Sequence, residues 1–321
     1  MSVAGAILNR AGLWYTRRYQ KKTGHTLMYD SIYQKAEPFQ VGDWRPPKGY
    51  GLSEVALSKS RGFLLTRTST GSGSGADTGT GAGVRRAVYH LHGGAYISAF
   101  STSYNDTAVR YSRCYRDADV FSLDYRTAPE DVYPCAVEDA VEGYAWLLEA
   151  GYLPRNIIVC GDSAGGGLSL ALCMRLRDQG VELPRALVLS SPWADLAAEG
   201  ESYRTKVTAD VFFGSYDAAV APRYPVPIDY AGQCDPHEPL ISPVYGSFEG
   251  LPPLLIQTGE NELLLSDSQT VAQKAKAAGG CVELIVYPLM CHTFYISVPW
   301  IQESREAWRT IKTFMEGCID E

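Results

Sequence analysis

The chain has 321 residues, 45% of them hydrophobic, with a formal net charge of −7 and a pI near 5.4. That size suits one large α/β domain with a small appended cap, and the acidic balance argues against a nucleic-acid partner. No apolar run approaches the ~20 residues that span a bilayer, Met1 to Leu13 lacks the basic start and cleavage site of a signal peptide, and the eight cysteines form no C-x-x-C pair. The expectation is a cytoplasmic protein with reduced thiols and no transmembrane segment.

Residues 1–50 are aromatic and basic, with helices expected around 3–22 and 27–36. They carry eight Lys/Arg against three Asp/Glu, a net of +5 that leaves −12 for the remainder. Such an arm either is a solvated face, the commoner case, or touches an anionic lipid surface. Val55–Ser60 and Gly62–Thr68 read as two early strands. Residues 69–83 are almost entirely Gly, Ser, Thr, Ala and Asp, a flexible loop between strands of one sheet. Ala87–Leu91 is an apolar strand followed by His92-Gly93-Gly94-Ala95-Tyr96. A glycine pair after such a strand frees backbone N–H groups to face a ligand, although in isolation a plain Gly-Gly turn is the better reading. Further strands at 119–123, 157–160, 186–190, 254–257 and 282–287 alternate with helical stretches, which argues a mainly parallel sheet.

The most informative segment is Ile157 to Gly167, IIVCGDSAGGG. Four apolar residues lead into Gly-Asp-Ser-Ala-Gly, and helix-forming residues continue to Leu176. This is the layout of a nucleophile elbow, with Ser163 at the apex of a strand–turn–helix. The serine sits in a strained backbone conformation, so Gly161 and Gly165 must let strand and helix approach closely. The helix then aims its free N–H groups and positive dipole end at the serine. A turn with a helix-capping serine also fits the five-residue pattern. The strand before and the helix after favour the elbow.

Four segments occur in one order: His92-Gly93-Gly94-Ala95, Asp124-Tyr125-Arg126-Thr127-Ala128-Pro129-Glu130, Tyr133-Pro134 and Gly161-Asp162-Ser163-Ala164-Gly165-Gly166. Asp235-Pro236, Ile241-Ser242-Pro243 and Leu251-Pro252-Pro253 follow. Over residues 85 to 315 the chain resembles the hormone-sensitive-lipase-like branch of the α/β-hydrolases, with its HGGG, DYRLAPE and GDSAGG motifs. Ala95 stands where the third glycine is usual, and Thr127 where leucine is. Ala95 still supplies an N–H, and it adds a methyl group beside the acyl pocket.

The resemblance implies an α/β-hydrolase fold. It implies cap helices from residues 1–50 over a body of 51–321, with a second cap piece at about 199–234. Tyr203, Phe212, Phe213, Tyr216, Tyr224 and Tyr230 crowd that piece, either lining an apolar cleft or packing the cap onto the body. The triad order in this fold is Ser…acid…His. Of the five histidines only His237 and His292 follow Ser163. His292 lies in a Met-x-His-x-Phe setting like the family's general base, whereas His237 sits in a proline-bounded surface turn. The acid by family position is Glu262. Glu260 comes too early in its loop, Asn261 has no carboxylate, and Asp267 falls in the next helix as a cap or a solvated residue. The resemblance further implies an oxyanion hole from Gly93, Gly94, Ala95 and Ala164, with His92 and Asp162 as supporting members of the two motifs.

These roles imply a serine carboxylesterase for short- to medium-chain esters, working through a Ser-His-Glu triad and an acyl-enzyme without metal or organic cofactor. Cys291 beside His292 invites a metal reading, which the opposite directions of adjacent strand residues disfavour. An amidase or deacetylase of a specific metabolite would use the same triad. A non-catalytic small-molecule receptor would need neither base nor acid, and His292 at its expected place argues against it. The partner is a small-molecule ester. A homodimer is left open, since family members often dimerise but no interface signature is visible here.

Overall fold

The computed structural model describes residues 2–34, 37–68, 84–221 and 224–319. Eight strands form one sheet: β1 (Tyr50–Ala56), β2 (Arg61–Arg67), β3 (Ala87–Leu91), β4 (Asp119–Asp124), β5 (Ile157–Asp162), β6 (Ala186–Ser190), β7 (Leu254–Gly259) and β8 (Val282–Tyr287). Their order is β1-β2-β4-β3-β5-β6-β7-β8. The pairs β1–β2 and β2–β4 are antiparallel, and all the others are parallel. Every residue of β3, β5, β6 and β7 is buried. Continuous apolar runs therefore replace strict alternation there, because helices cover both faces.

The helices are α1 (Val3–Thr23), α2 (Leu27–Tyr33), α3 (Thr102–Cys114), α4 (Cys135–Glu149), α5 (Ala164–Asp178), α6 (Ser202–Thr205), α7 (Leu265–Ala277), α8 (Phe294–Ser297) and α9 (Gln302–Gly317). One core joins α4, α5 and α7 to the face carrying Tyr89, Leu91, Val159 and Leu187. The other joins α3 and α9 to the face carrying Val88, Ile158, Val188 and Leu255. No helix among the described residues is long and apolar enough to cross a membrane.

After β3 the chain moves outward to β4, then returns to the far side of β3 as β5. The strand order reverses between β3 and β5, and the crevice at their carboxyl ends is where open α/β sheets receive ligands. The Gly93-Gly94 loop leaves one strand there and Ser163 leaves the other.

Two expectations need adjusting. The first strand is Tyr50–Ala56 rather than Val55–Ser60, because Leu57–Ser60 is the hairpin turn, closed by Leu57 N–H on the Ser60 carbonyl at 3.0 Å. The second helix stops at Tyr33. Among the described residues of 199–234 the helical elements are α6 and short 3₁₀ turns, so the cap piece expected there has little regular structure. The Gly/Ser-rich loop expected at 69–83 lies outside the described residues.

The N-terminal helices lean on that later segment. Ser2 caps α1 by accepting from Gly5 N–H, and Gly24, at φ +83°, ends the helix. Arg17 Nη2 donates to the Thr208 carbonyl at 3.0 Å, and Gln20 Oε1 accepts from Tyr216 N–H at 2.9 Å. Helix α2 is tied at both sides: Tyr33 Oη donates to Asp229 at 2.6 Å, and Ser98 Oγ donates to the Ile32 carbonyl at 3.1 Å.

Strand and helix meet at the elbow without room for a methyl group. A Cβ on Gly165 would lie 2.0 Å from the Leu91 carbonyl oxygen, and one on Gly161 would lie 2.2 Å from that of Gly165. Backbone cannot yield as a flexible side chain can. Gly165→Ala is therefore expected to lower stability to urea by at least ~2 kcal/mol. Gly42→Ala, which meets nothing within 4 Å, is the control and should change stability by no more than ~0.5 kcal/mol. Equal stabilities would contradict this packing.

Candidate active site

Ser163 occupies the turn between β5 and α5 with φ +51° and ψ −120°. A non-glycine residue there costs roughly 1–3 kcal/mol, so the surroundings must fix it. Ser163 N–H donates to the Ser190 carbonyl at 2.9 Å. The Ser163 carbonyl accepts from Gly166, Gly167 and Trp193 N–H at 3.0, 3.2 and 2.9 Å.

The loop after β3 faces this turn. His92 is fully buried, its ring stacked on Tyr125 at 4.2 Å, and its Nδ1–H donates to the Gly93 carbonyl at 2.7 Å. Burial lowers its pKa, which suits a neutral ring that pins the loop. Gly93 must be glycine, because a Cβ would lie 2.3 Å from Asp162 Oδ2. Gly94 has φ +118°, and its carbonyl accepts from Ile97 and Ser98 N–H. Ala95 has φ +57°, a left-handed conformation that costs an alanine about 1 kcal/mol and a glycine nothing. Gly93 N–H faces the Tyr104 hydroxyl, whose pKa burial raises well above its ordinary value and this N–H lowers in part. Gly94, Ala95, Asp162 and Ser163 line one cavity of about 730 Å³.

His292 lines the same cavity. Its Nδ1 meets Glu262 Oε2 at 2.8 Å, both residues being buried. Glu262 Oε1 accepts from Ser191 Oγ at 2.9 Å and from Thr258 Oγ1 and Gly259 N–H. A buried carboxylate is tolerated only with such partners. Ser191 Oγ also accepts from Thr293 N–H at 3.2 Å, so the same hydroxyl touches the acid and the residue after the histidine. The Phe213 ring meets the imidazole edge-on at 5.2 Å. With Nδ1 held by the carboxylate, Nε2 remains for chemistry in the cavity.

The other acids of the loop do different work. Glu260 Oε2 accepts from Leu289 N–H at 2.9 Å. Asp267 is neither a helix cap nor solvated: it is buried, and its Oδ2 accepts from Ala194 and Asp195 N–H at 2.9 Å and from Tyr203 Oη at 3.1 Å. His237 is exposed between Asp235 and Glu199, which raise its pKa. Of the aromatic residues of 199–234, Phe213 reaches the cavity, and Tyr203 and Tyr230 pack inward, Tyr230 stacking on Tyr96 at 3.9 Å.

Sequence reasoning missed Asp210. It is buried under the site, with Oδ1 accepting from Phe212 and Phe213 N–H at 2.7 and 2.9 Å and Oδ2 from Leu263 N–H at 2.7 Å. It thereby fixes both Phe213 and the residue after Glu262. Burial raises its pKa, against the hydrogen bonds and the nearby His292. Ser191 and Thr258 were missed as well. No motif marks any of the three: Ser191 meets Glu262 and Asp210 meets Leu263 across the chain, and a lone threonine four residues before the acid has no pattern of its own. No group of three His, Cys, Asp or Glu side chains among the described residues is placed to hold a metal ion.

Comparison with known proteins places the fold. Residues 88–296 match a family described as having the alpha/beta hydrolase fold. The chain is 39% identical over 237 residues to an acetyl-hydrolase of Streptomyces hygroscopicus, covering 74% of this chain and 77% of that protein. It is 35% identical over 235 residues to the esterase LipU of Mycobacterium tuberculosis, covering 73% and 78%. Among solved structures, an esterase from the bacterial hormone-sensitive lipase family aligns with a TM-score of 0.73 and 31% identity, covering 91% of this chain and 96% of that one.

Two outcomes test the site's construction. Asp210→Ala strands three buried N–H groups and should cost about 3 kcal/mol or more in urea unfolding; an unchanged midpoint would refute the clamp. Burial pushes the Cys291 thiol up to about 12, while Cys234 and Cys281 are exposed. Iodoacetamide at about pH 8 should therefore label Cys234 and Cys281 and spare Cys291 in the folded protein. Labelling of Cys291 at the rate of Cys281 would contradict its raised thiol pKa.

Proposed function

This chain belongs to the hormone-sensitive-lipase-like branch of the α/β-hydrolases and is an enzyme of the carboxylic ester hydrolase class, and we propose that it works through Ser163, His292 and Glu262 on short- to medium-chain esters. The observation that carries this reading is the buried Glu262–His292 pair at 2.8 Å, whose imidazole lines the cavity that the strained Ser163 also lines. In the same reading, residues 1–50 and 199–234 form a cap over the body of the fold.

The steps follow from the atoms. His292 Nε2 takes the proton from Ser163 Oγ as the oxygen bonds to the ester carbonyl carbon. Glu262 keeps the imidazole in the tautomer with Nδ1–H and stabilises the imidazolium. The carbonyl oxygen becomes an oxyanion and is met by the N–H groups of Ala164, Gly94 and Ala95; Gly93, expected among these donors from the sequence, is left out because its N–H is turned to the Tyr104 hydroxyl. Ala164 opens a fifteen-residue helix, so its N–H carries the positive end of the α5 dipole. The C–O bond to the alcohol then breaks, and His292 gives its proton to the leaving oxygen. A water molecule loses a proton to His292, attacks the acyl carbon and frees the acid, returning the proton to Ser163. Phe213 covers one edge of the imidazole and limits water around it.

The acyl side is short in this account because Ala95 places a methyl group at the cavity wall where a third glycine would leave space. A second reading is removal of an acetyl group from a specific metabolite. It is favoured by the relative named an acetyl-hydrolase, at 39% identity.

A p-nitrophenyl ester series from acetate to dodecanoate tests the proposal. Ser163→Ala and His292→Ala should each lower kcat by at least ~10⁴-fold with folding intact. Glu262→Gln should lower it on the order of 10³-fold or more, with KM little changed. Activity should peak at short to medium chains. Equal turnover by wild type and Ser163→Ala would overturn the assignment. Full activity on dodecanoate would overturn the chain-length reading alone.

A further inference from the structure

The outward face of α1 is unusual for a helix packed on a protein body. The helix carries five cations, Arg10, Arg17, Arg18, Lys21 and Lys22, and no acid. Ile7, Ala11, Trp14, Arg18 and Lys21 follow at steps of four and three and share one exposed stripe, roughly 21 Å long at ~1.5 Å per residue. Trp14 is 64% exposed and Ile7 61%. Next to its N-terminal end, Ile7 and Leu8 line a shallow trough with Trp300 and Arg305, and Trp300 is 63% exposed. Further along, Arg10, Leu13, Trp14, Arg17, Arg18 and Lys21 line a second trough. The inward side is already used, by Gly12 against Val211 and by the bonds of Arg17 and Gln20 to the 208–216 segment.

Exposed apolar bulk is not spread evenly. Among the described residues, all the large hydrophobic side chains left exposed, except Val84 and Leu153, belong to α1, α2, Tyr216 or Trp300. An aliphatic and tryptophan stripe interleaved with arginines is costly in water, and it has the chemistry of a helix lying in a lipid headgroup layer. Indole rings settle at the headgroup level, aliphatic chains reach below it, and guanidinium groups pair with phosphates. The charge partition points the same way: residues 1–50 carry +5 while the remainder carries −12. The rest of the molecule is repelled by an anionic surface, so attraction would orient the chain with this face down.

We propose that the exposed face of α1, together with Trp300 and Arg305, docks the protein on an anionic phospholipid surface. A second copy of the chain fits less well. An isologous dimer through this stripe sets Arg10, Arg18 and Lys21 of one copy near the same cations of the other. The orientation also has a use. Helix α1 packs on the segment that carries Phe213, and α2, which begins three residues after Gly24, supplies Met28 and Ile32 to the cavity. Docking brings the cavity's rim to the lipid boundary without burying Ser163.

Sedimentation with large vesicles tests this. Vesicles of phosphatidylglycerol mixed with phosphatidylcholine should carry the full-length protein down at about 0.1 M NaCl, and pure phosphatidylcholine should not. Raising NaCl to about 0.5 M should release most of it. Arg10→Glu/Arg18→Glu should weaken binding at least ~10-fold, and Trp14→Ala should weaken it without changing the salt dependence. All variants should keep the wild-type melting temperature, which separates lost docking from lost folding. No binding to anionic vesicles, equal binding to pure phosphatidylcholine, or unaltered binding by the double variant would overturn the proposal. So would a wild-type dimer in sedimentation velocity that Arg10→Glu/Arg18→Glu dissociates, which would assign the face to a second copy. None of these outcomes depends on Ser163 being the nucleophile.

Discussion

The site depends on one strained residue. Ser163 holds φ +51° only because strand β5, helix α5 and the turn after β6 grip its backbone at both ends. The grip requires backbone-to-backbone contact, and that contact requires glycine at 161 and 165. The hydrophobic burial of the central strands therefore does more than hold the sheet together. It supplies the free energy that keeps a turn of unfavourable conformation at the sheet's switch point, where the loop after β3 also ends.

The second constraint is a buried charge. Glu262 sits with no exposure to water, and four donors from three stretches of chain meet its two oxygens: Ser191, the adjacent Thr258 and Gly259, and His292. An unpaired carboxylate there would be very costly, so the network reads as one cooperative unit. Ser191 links the acid to Thr293, and Asp210 links Leu263 to Phe213. The imidazole is thus fixed from its acid side, from the backbone beyond it and from the ring at its edge. Such restraint is what a general base needs if the cost of orienting it is to be met during folding rather than during the reaction.

What was legible from the amino-acid order follows from locality. The elbow and the Gly93-Gly94 loop stand out because tight turns demand small residues at fixed spacing within a few positions. The parallel sheet was legible because buried strands are continuous apolar runs. Glu262 and His292 were reached through family position, since a loop acid and a loop histidine have no pattern of their own. Asp210 and Ser191 left no trace because their bonds to Leu263 and Glu262 cross the chain, and Thr258, only four residues before Glu262, left none because a single threonine there is no pattern. Asp267 was misread for a related reason. An acid in the first turn of a helix ordinarily faces water, but here the chain after β6 presents Ala194 and Asp195 N–H groups that need an acceptor. The first strand was displaced because the Leu57–Ser60 turn contains no glycine, proline or asparagine to announce it.

The central claim is that the strained Ser163 is a nucleophile activated by the His292–Glu262 pair. Its most direct test is covalent: incubation of the folded protein with a fluorophosphonate, followed by intact-mass and peptide mass spectrometry. The account predicts one adduct per chain, located on the peptide containing Ser163, and slowed strongly when His292 is replaced by alanine. Labelling at another serine, or no labelling of the folded wild type, would contradict it.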